Sequence, residues 1–311
     1  MVRCGGPWIG SGRMDMSEPA TEERVSVTSA AKAATEGVSI TAALKRCATQ
    51  NHNATQNRNT SQNRDDTQNG NSASSRSSST IAMVAAMERE VAPLVRGWKV
   101  REIEHSGRRH RVYENPRAES KSAVLICGGI GSEAARRAAE AVIEECRPAR
   151  VVSVGFAGAL NSQCKIADVI EPRVVVNALD GSRTDTGSGQ GTLVSYGAVA
   201  DKNQKARLAR AYAADAVDME AAAVAQAAQA HGIEFAALKS ISDAVDFAMP
   251  PTERFITSAG EFRPVDFAVY VGLRPWHWKS TIALARNSAK ASRALSASIR
   301  EYCKREIGVL I

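Results

Sequence analysis

The sequence lacks the long apolar runs that membrane insertion and secretion require. Nowhere do about 18 apolar residues run together, as a transmembrane helix would need. Residues 1–17 also lack the continuous apolar stretch of a secretory signal. The sequence therefore predicts a cytoplasmic protein without a stable membrane span.

Paired cysteines and Cys/His clusters are absent as well. The six cysteines are scattered along the chain without a C-x-x-C pair, and none stands in a cluster with histidine. Such scatter is typical of reduced thiols and argues against disulfides and zinc sites. We therefore expect no bound metal ion.

The chain carries only a mild excess of positive charge. Its 40 Lys and Arg residues against 33 Asp and Glu residues give +7, which falls short of the dense basic patch of a dedicated nucleic-acid binder. Aromatic residues make up only 5% of the sequence, but 44% of the 311 residues are hydrophobic, enough for one large domain or two small ones. Charge thus argues against nucleic acid as a partner without naming another one.

Buriable side chains are scarce in the N-terminal quarter. Between Thr49 and Thr80 nearly every residue is Asn, Gln, Ser, Thr, Asp or Arg. A segment of this composition cannot offset the entropy cost of its own ordering. The sequence predicts a disordered low-complexity tail over residues 1–78 and a folded domain over residues 79–311.

From residue 81 onward, short apolar runs alternate with longer amphipathic stretches, as in α/β proteins. Strands are predicted at Thr80–Ala86, Ala123–Cys127, Arg150–Val154, Asp168–Val176, Leu193–Ser195 and Phe235–Ile241. Helices are predicted at Ser132–Glu145, Met219–His231 and about Ser280–Glu306. This pattern predicts an α/β fold, a three-layer α/β/α domain with a mixed, mostly parallel central sheet. Such sheets place their sites at the carboxyl ends of the strands.

Segments of unusual composition follow or end these strands. They are Ala85–Glu90, Gly128–Ser132, Val154–Leu160, and an acidic pair formed by Val217–Ala221 and Ile241–Asp243. The second segment does not complete a G-x-G-x-x-G motif, because Ala134 stands where a third glycine would follow Gly129 and Gly131. We therefore expect no dinucleotide cofactor. Each segment alone also fits an ordinary role in a helix start or a tight turn. The occurrence of all of them in this order, in contrast, is a specific signal of function.

With these motifs in order over residues 81–243, the sequence resembles the purine nucleoside phosphorylase and nucleosidase superfamily, and most closely its methylthioadenosine/S-adenosylhomocysteine nucleosidase branch. The family's A-M-x-x-E, G-I-G, G-x-A-G, (V)-E-M-E and S-D elements match, in turn, Ala86–Glu90, Gly129–Gly131, Gly155–Gly158, Val217–Glu220 and Ser242–Asp243. The resemblance implies a nucleoside phosphorylase-like fold, a small-molecule nucleoside substrate, no cofactor and a homodimer.

The resemblance also implies the roles of the site residues. Glu90 would act on the attacking water, Glu220 would bind the ribose hydroxyls, and Asp243 would hydrogen-bond the purine N7. The substrate-binding residues would further include Met219, which packs on the nucleoside, Ser242 beside Asp243, and the backbone at Ala157 and Gly158.

The chemistry of N-glycosidic cleavage asks for the same residue types. Bond breaking creates a cationic, oxocarbenium-like sugar and an electron-rich base. A buried carboxylic acid can protonate that base at N7, which makes Asp243 the candidate general acid and Glu90 the candidate base. One carboxylate can accept from two adjacent hydroxyls, which suits Glu220. We expect hydrolysis of a 5′-modified adenosine with release of adenine.

Two other functions stay open at this point. The family's phosphorylases hold phosphate with arginines at the positions of Glu90 and Ser153, and a carboxylate repels phosphate there. Water is the favoured nucleophile, but Arg89 next to Glu90 keeps a phosphate-dependent phosphorylase as the alternative. The second alternative is an inactive nucleoside-binding member, although all three acids are present.

Some positions depart from the family pattern. Phe156 stands where these nucleosidases usually have serine, and Lys239 replaces an arginine and is expected to pair with Glu90. Val199 and its alanine neighbours stand in place of an adenine-stacking aromatic residue. These differences leave the 5′ substituent open.

The segment after Asp243 concentrates aromatic residues. It holds Phe247, Phe255 and Phe262, with Trp276 and Trp278 further on. A lid or an oligomer contact is the ordinary interpretation. The alternative is an apolar tunnel for a bulky 5′ substituent, similar to the hopanoid-associated phosphorylase subgroup, which implies an adenosyl-hopane substrate.

Overall fold

The computed structural model describes residues 80–116, 122–308 and 311. The predicted tail over residues 1–78 lies outside the described residues. Within the described part, no helix has the length and apolar character needed to span a bilayer.

Eleven strands and six α-helices make up the described part of the chain. The strands are β1 (Ile81–Ala85), β2 (Lys99–His105), β3 (Arg108–Glu114), β4 (Ala123–Cys127), β5 (Arg150–Ala159), β6 (Val169–Ile170), β7 (Val174–Asn177), β8 (Arg183–Asp185), β9 (Thr192–Ser195), β10 (Ala216–Asp218) and β11 (Glu234–Asp243). The α-helices are α1 (Glu88–Val95), α2 (Ser132–Cys146), α3 (Lys202–Tyr212), α4 (Ala221–Ala230), α5 (Pro264–Gly272) and α6 (Trp278–Ile307). Short 3-10 turns span Glu253–Phe255 and Pro275–His277.

The strands form one mixed sheet in the order β2-β3-β4-β1-β5-β10-β9-β7-β8, and β11 pairs with both β5 and β6. Strands β4, β1, β5 and β11 run parallel at its centre, whereas the β2-β3 hairpin and β8 pair antiparallel with their neighbours. The long strand β5 therefore touches β1, β11 and, through its last residues, β10. This arrangement brings chain segments far apart in sequence to one sheet edge.

Helices cover both faces of the sheet. Alanine-rich faces of α2 and α4 pack with Val84, Val124 and Ile241 in one core. Helices α1 and α6 pack over Met83, Leu125 and Val154 in the other. The α/β fold, predicted as three layers around a mixed sheet, is confirmed. The small alanine side chains let α2 and α4 approach each other and the sheet closely.

The structure corrects the sequence reading in several places. The predicted strand ends at Val154, but β5 continues through the G-x-A-G segment to Ala159. The strand continues because β11 and β10 supply hydrogen-bonding partners there, with Gly158 opposite both Asp243 and Val217. The predicted strand Asp168–Val176 is two short strands, β6 and β7.

Candidate active site

Glu90 stands just beyond the carboxyl end of β1. Strand β1 is apolar and wholly buried, and it leads directly into α1, where Glu90 is the third residue. The Glu90 carboxylate is buried and accepts a hydrogen bond from the Met87 N–H at 3.4 Å. Burial raises the pKa of Glu90, against the opposing positive charges of Lys239 and Arg89. A carboxylate of raised pKa suits a base that works near neutral pH.

The absence of a side chain at Gly155 makes room for two charged groups. A Cβ atom there would lie 3.0 Å from Glu90 Oε2 and 3.6 Å from Lys239 Nζ. Gly155, the first glycine of the G-x-A-G motif, thus lets the Glu90 and Lys239 side chains lie close to the backbone of β5. Alanine at this position would push the Glu90 carboxylate away.

Glu220 stands at the start of α4, as the sequence predicted. Its Oε1 accepts from the Gly131 N–H at 2.9 Å, and its Oε2 accepts from the Met219 N–H at 3.3 Å. The G-I-G turn therefore holds the carboxylate that follows β10. Burial raises the pKa of Glu220 to about 7, with Lys239 opposing the shift and the nearby Asp218 and Glu90 charges adding to it.

Lys239 is buried behind these acids, and its ion pair differs from the expected one. Its Nζ lies 2.9 Å from Asp218 Oδ2, whereas the predicted ion pair with Glu90 is not among the ion pairs of the described residues. Asp218 is held in place by the Ser195 hydroxyl at 2.5 Å and the Ala221 N–H at 2.8 Å. Because the Asp218 carboxylate is fixed beside β11, it takes the ammonium, and Glu90 receives only its longer-range attraction.

Asp243 ends β11 and is held by two donors. The Ser242 hydroxyl donates to Oδ1 at 2.6 Å, and the Lys205 ammonium donates to Oδ2. Lys205 also donates to the Ala244 carbonyl at 2.7 Å. Both charged side chains are buried, at 1% exposure for Lys205 and 4% for Asp243. They pack on Gly158, where a Cβ would lie 2.8 Å from Asp243 Oδ2.

These groups surround one pocket at the carboxyl ends of the central strands. Nine of the ten predicted site residues line it, namely Glu90, Phe156, Ala157, Gly158, Val199, Met219, Glu220, Ser242 and Asp243. Lys239, the tenth, lies behind the wall. Arg89, Met249, Phe262, Leu284 and Lys205 also line the pocket. The pocket thus has acids on several sides and an apolar wall from the C-terminal segment.

The comparisons with known proteins agree with this geometry. The family model described as "Phosphorylase superfamily" matches residues 80–203 and 190–263, which together span more than half of the chain. The chain belongs to the phosphorylase superfamily. No curated protein sequence matches it. The predicted family resemblance is therefore confirmed at the level of the superfamily.

Solved structures of nucleosidases share the fold. The chain is 19% identical to 5′-methylthioadenosine nucleosidase of Arabidopsis thaliana, with a TM-score of 0.58, covering 75% of this chain and 98% of that one. Futalosine hydrolase of Helicobacter pylori is 18% identical, with a TM-score of 0.56, and the match covers 73% of this chain and 97% of that one. The 5′-methylthioadenosine/S-adenosylhomocysteine nucleosidase of Neisseria meningitidis is 21% identical, with a TM-score of 0.55, and the match covers 73% of this chain and 99% of that one. Family and fold together support a nucleoside-cleaving enzyme.

This superfamily member carries one charged site residue that sequence reasoning missed. Lys205 belongs to α3, whose sequence KNQKARLARAY is typical of a solvated surface helix. Nothing in its spacing signals a buried lysine, and only the packing of α3 against β9 and β10 brings it to Asp243. Asp218 was part of a recognised motif, but its role as the partner of Lys239 also appears only in the structure.

The positions relevant to phosphate binding are now located. Ser153 is fully buried within β5 and does not line the pocket. Arg89 does line it, with its guanidinium 5.1 Å from the centre of the Phe262 ring. Among residues 80–116 and 122–308, no group of three or more His, Cys, Asp and Glu side chains is arranged to hold a metal ion.

Proposed function

We propose that the protein hydrolyses the N-glycosidic bond of a 5′-modified adenosine, of the methylthioadenosine or S-adenosylhomocysteine type, and releases adenine. The observation that carries the proposal is the convergence of Glu90, Glu220 and Asp243 on one pocket, although they come from three separate segments of the chain. Each has a partner that fixes its orientation.

The proposed reaction uses opposite sides of the nucleoside. The Lys205 ammonium gives a proton to the Asp243 carboxylate that it contacts, and Asp243 passes a proton to purine N7. At the same time the bond from the base nitrogen to C1′ breaks and its electron pair goes to the base. Glu220 accepts hydrogen bonds from the ribose hydroxyls and faces the positive charge that develops on the sugar. Glu90 takes a proton from water as the water oxygen bonds to C1′. Ser242 and Lys205 hold the Asp243 carboxyl group in place.

The charges around the pocket favour water over phosphate. The site has four carboxyl groups against three cations. The carboxyl groups are those of Glu90, Asp218, Glu220 and Asp243, and the cations are Lys205, Lys239 and Arg89. A phosphate dianion entering a site with this excess of acids would be repelled. A neutral water molecule meets no such barrier.

A phosphate-dependent phosphorylase, including one acting on adenosyl-hopane, is the alternative. Arg89 favours it, because this cation lines the pocket next to Glu90. The alternative of an inactive nucleoside-binding member has less support, since all three acids are present and oriented. A homodimer located in the cytoplasm remains part of the proposal, on the family resemblance.

Adenine release with and without phosphate distinguishes the two reactions. We expect the full-length protein, dialysed free of phosphate, to release adenine from methylthioadenosine or S-adenosylhomocysteine, and to form free ribosyl product rather than a sugar 1-phosphate. Inosine serves as the control substrate for the base. A strict requirement for phosphate would establish phosphorolysis, and absence of cleavage with all three nucleosides would leave only the binding function.

A further inference from the structure

The large apolar side chains that are exposed are concentrated in one segment of the chain. Six of the eight large hydrophobic side chains exposed in the described part of the chain fall within residues 265–282. They form what we call the apolar ridge: Val265, Val269, Leu273, Trp276, Trp278 and Ile282. Leu273 is 73% exposed and Trp276 is 72% exposed. Monomeric proteins rarely leave such a concentration of apolar side chains uncovered without a binding role.

Helix α5 is the centre of the apolar ridge. Its sequence PVDFAVYVG carries one charged residue, Asp266, and Val271 is its one buried residue. Val265, Val269 and Leu273 follow one another at intervals of four and so share one face of the helix. A helix that is apolar on all sides is normally covered. The Trp278 Nε1–H donates to the Val271 carbonyl at 2.9 Å, which ties the start of α6 to α5.

Cations surround the apolar ridge. From Arg263 to Arg300 the chain holds seven Lys and Arg residues and one acid, Asp266. Lys279, Ile282 and Arg286 lie at i, i+3 and i+7 on α6 and thus share a face, and all three are exposed. Neither Lys279 nor Arg286 belongs to an ion pair among the described residues. Their positive charges are therefore available to an outside partner.

We propose that the apolar ridge docks on the surface of an anionic lipid bilayer. Interfacial helices place apolar side chains among the lipids, with Lys and Arg directed to the head groups. Tryptophan is enriched at that depth, because its ring is apolar and its N–H is polar. Anionic lipids attract clustered basic residues. The apolar ridge combines all of these features within 24 residues of chain, Arg263 to Arg286.

A second copy of the chain fits this surface less well. In a two-fold symmetric dimer the same patch meets itself. The cations around each apolar ridge would then face like cations, with only Asp266 to neutralise them, and Asp266 already lies 3.7 Å from Arg263. Phosphate groups of a bilayer supply the missing negative charge. The charge distribution therefore selects an anionic lipid surface.

Helix α5, which carries Val265 and Val269 of the apolar ridge, also packs against one wall of the pocket. Phe262 lines the pocket, and its ring centre lies 5.5 Å from that of Phe267 in α5. Phe267 in turn lies 5.4 Å from Phe255, and Phe255 lies 5.3 Å from Tyr270. When the apolar ridge is docked, α5 would therefore lie between the membrane surface and the pocket. The docking itself does not depend on which reaction the pocket carries out.

Vesicle flotation of the full-length protein tests the proposal. The probes are vesicles of phosphatidylcholine alone and of phosphatidylcholine with phosphatidylglycerol, at low and at physiological salt. We expect the protein to float with the anionic vesicles, with a blue shift of tryptophan fluorescence. Leu273→Ser combined with Trp276→Ser should weaken binding at least tenfold, and so should Lys279→Glu combined with Arg286→Glu.

Matched variants away from the apolar ridge control for general effects of charge and hydrophobicity. Leu179→Ser removes another strongly exposed apolar side chain, and Arg207→Glu with Arg210→Glu reverses two exposed charges on α3. Both should bind vesicles as the wild type does. The proposal is overturned if the wild type does not bind anionic vesicles, or if ridge and control variants bind equally. It is also overturned if the ridge variants turn a dimer into a monomer without changing vesicle binding.

Discussion

Lys205→Met removes the ammonium group that contacts Asp243 while keeping most of the side chain's apolar stem. Both partners are almost fully buried, so water cannot replace the lost cation. Leaving one charge of a buried ion pair uncompensated costs about 3–5 kcal/mol of the free energy of unfolding. For a domain of this size each kcal/mol corresponds to about 2–4 °C, so we expect the melting temperature to fall by roughly 6–20 °C.

A double-mutant cycle separates the structural role of the pair from its catalytic role. Asp243→Asn leaves Lys205 uncompensated and should destabilise the protein for the same reason. The double variant contains neither charge, and we expect it to be more stable than either single variant. Turnover should not recover with stability, because asparagine cannot release a proton to N7. Loss of a general acid lowers the rate by roughly 10²-fold or more.

Thermal unfolding and adenine release would be measured for all four proteins at one pH and well below their melting temperatures. Arg173→Met is the control, since it breaks the exposed ion pair with Asp185, and its melting temperature should match the wild type. If the loss of stability in the double variant equals the sum of the losses in the two single variants, the coupling of Lys205 with Asp243 is refuted. Wild-type turnover in Asp243→Asn would remove Asp243 from the mechanism.

Two further predictions concern Gly158 and Glu220. Gly158→Ala places a Cβ 2.8 Å from Asp243 Oδ2 and should lower the turnover of adenine release. The control is Gly197→Ala, whose Cβ meets nothing within 4 Å and should leave turnover unchanged. Equal turnover of the two variants would refute the close packing of Gly158 on Asp243. Because the Glu220 pKa is raised to about 7 in the folded protein, Glu220 contributes stability that is lost as the pH rises from about 4.5 to 7. We therefore expect the melting temperature of Glu220→Gln, relative to that of the wild type, to be higher at pH 8 than at pH 5. Thermal unfolding of both proteins at the two pH values tests this, and a difference in melting temperature that does not depend on pH would contradict it.

Strands and helices with a full apolar pattern could be predicted from the sequence. Strand β4 is found at the predicted residues, and α2 ends one residue later than predicted. The β2-β3 hairpin was missed, because its strands lie at the edge of the sheet and carry many exposed charges. Its local signal was Ser106-Gly107, which have φ of 50° and 73° and form a two-residue turn between alternating stretches.

The acids of the candidate site were predictable for a topological reason. Glu90 follows β1, Glu220 follows β10 and Asp243 ends β11, and all of these strands either pair with β5 or, like β10, meet its end. The carboxyl ends of the parallel strands β1, β5 and β11 lie at one edge of the sheet. Strand β10 runs antiparallel to β5 but pairs with its last residues, so it lies at the same edge. Motifs that follow successive strands therefore meet in space, even when more than 100 residues separate them.

The cations of the site could not be predicted in the same way. Four carboxyl groups in one partly buried region repel one another and lose hydration, so they need positive charge nearby to remain ionised. That requirement follows from the acids alone, but it does not say which of the chain's lysines meets it. Lys239 was recognised by its position in the family pattern, yet its partner proved to be Asp218, and Lys205 came from a polar helix with no motif. The identity of a buried counterion depends on contacts between distant elements, here Lys205 of α3 with Asp243 at the end of β11, and no local pattern in either element records it.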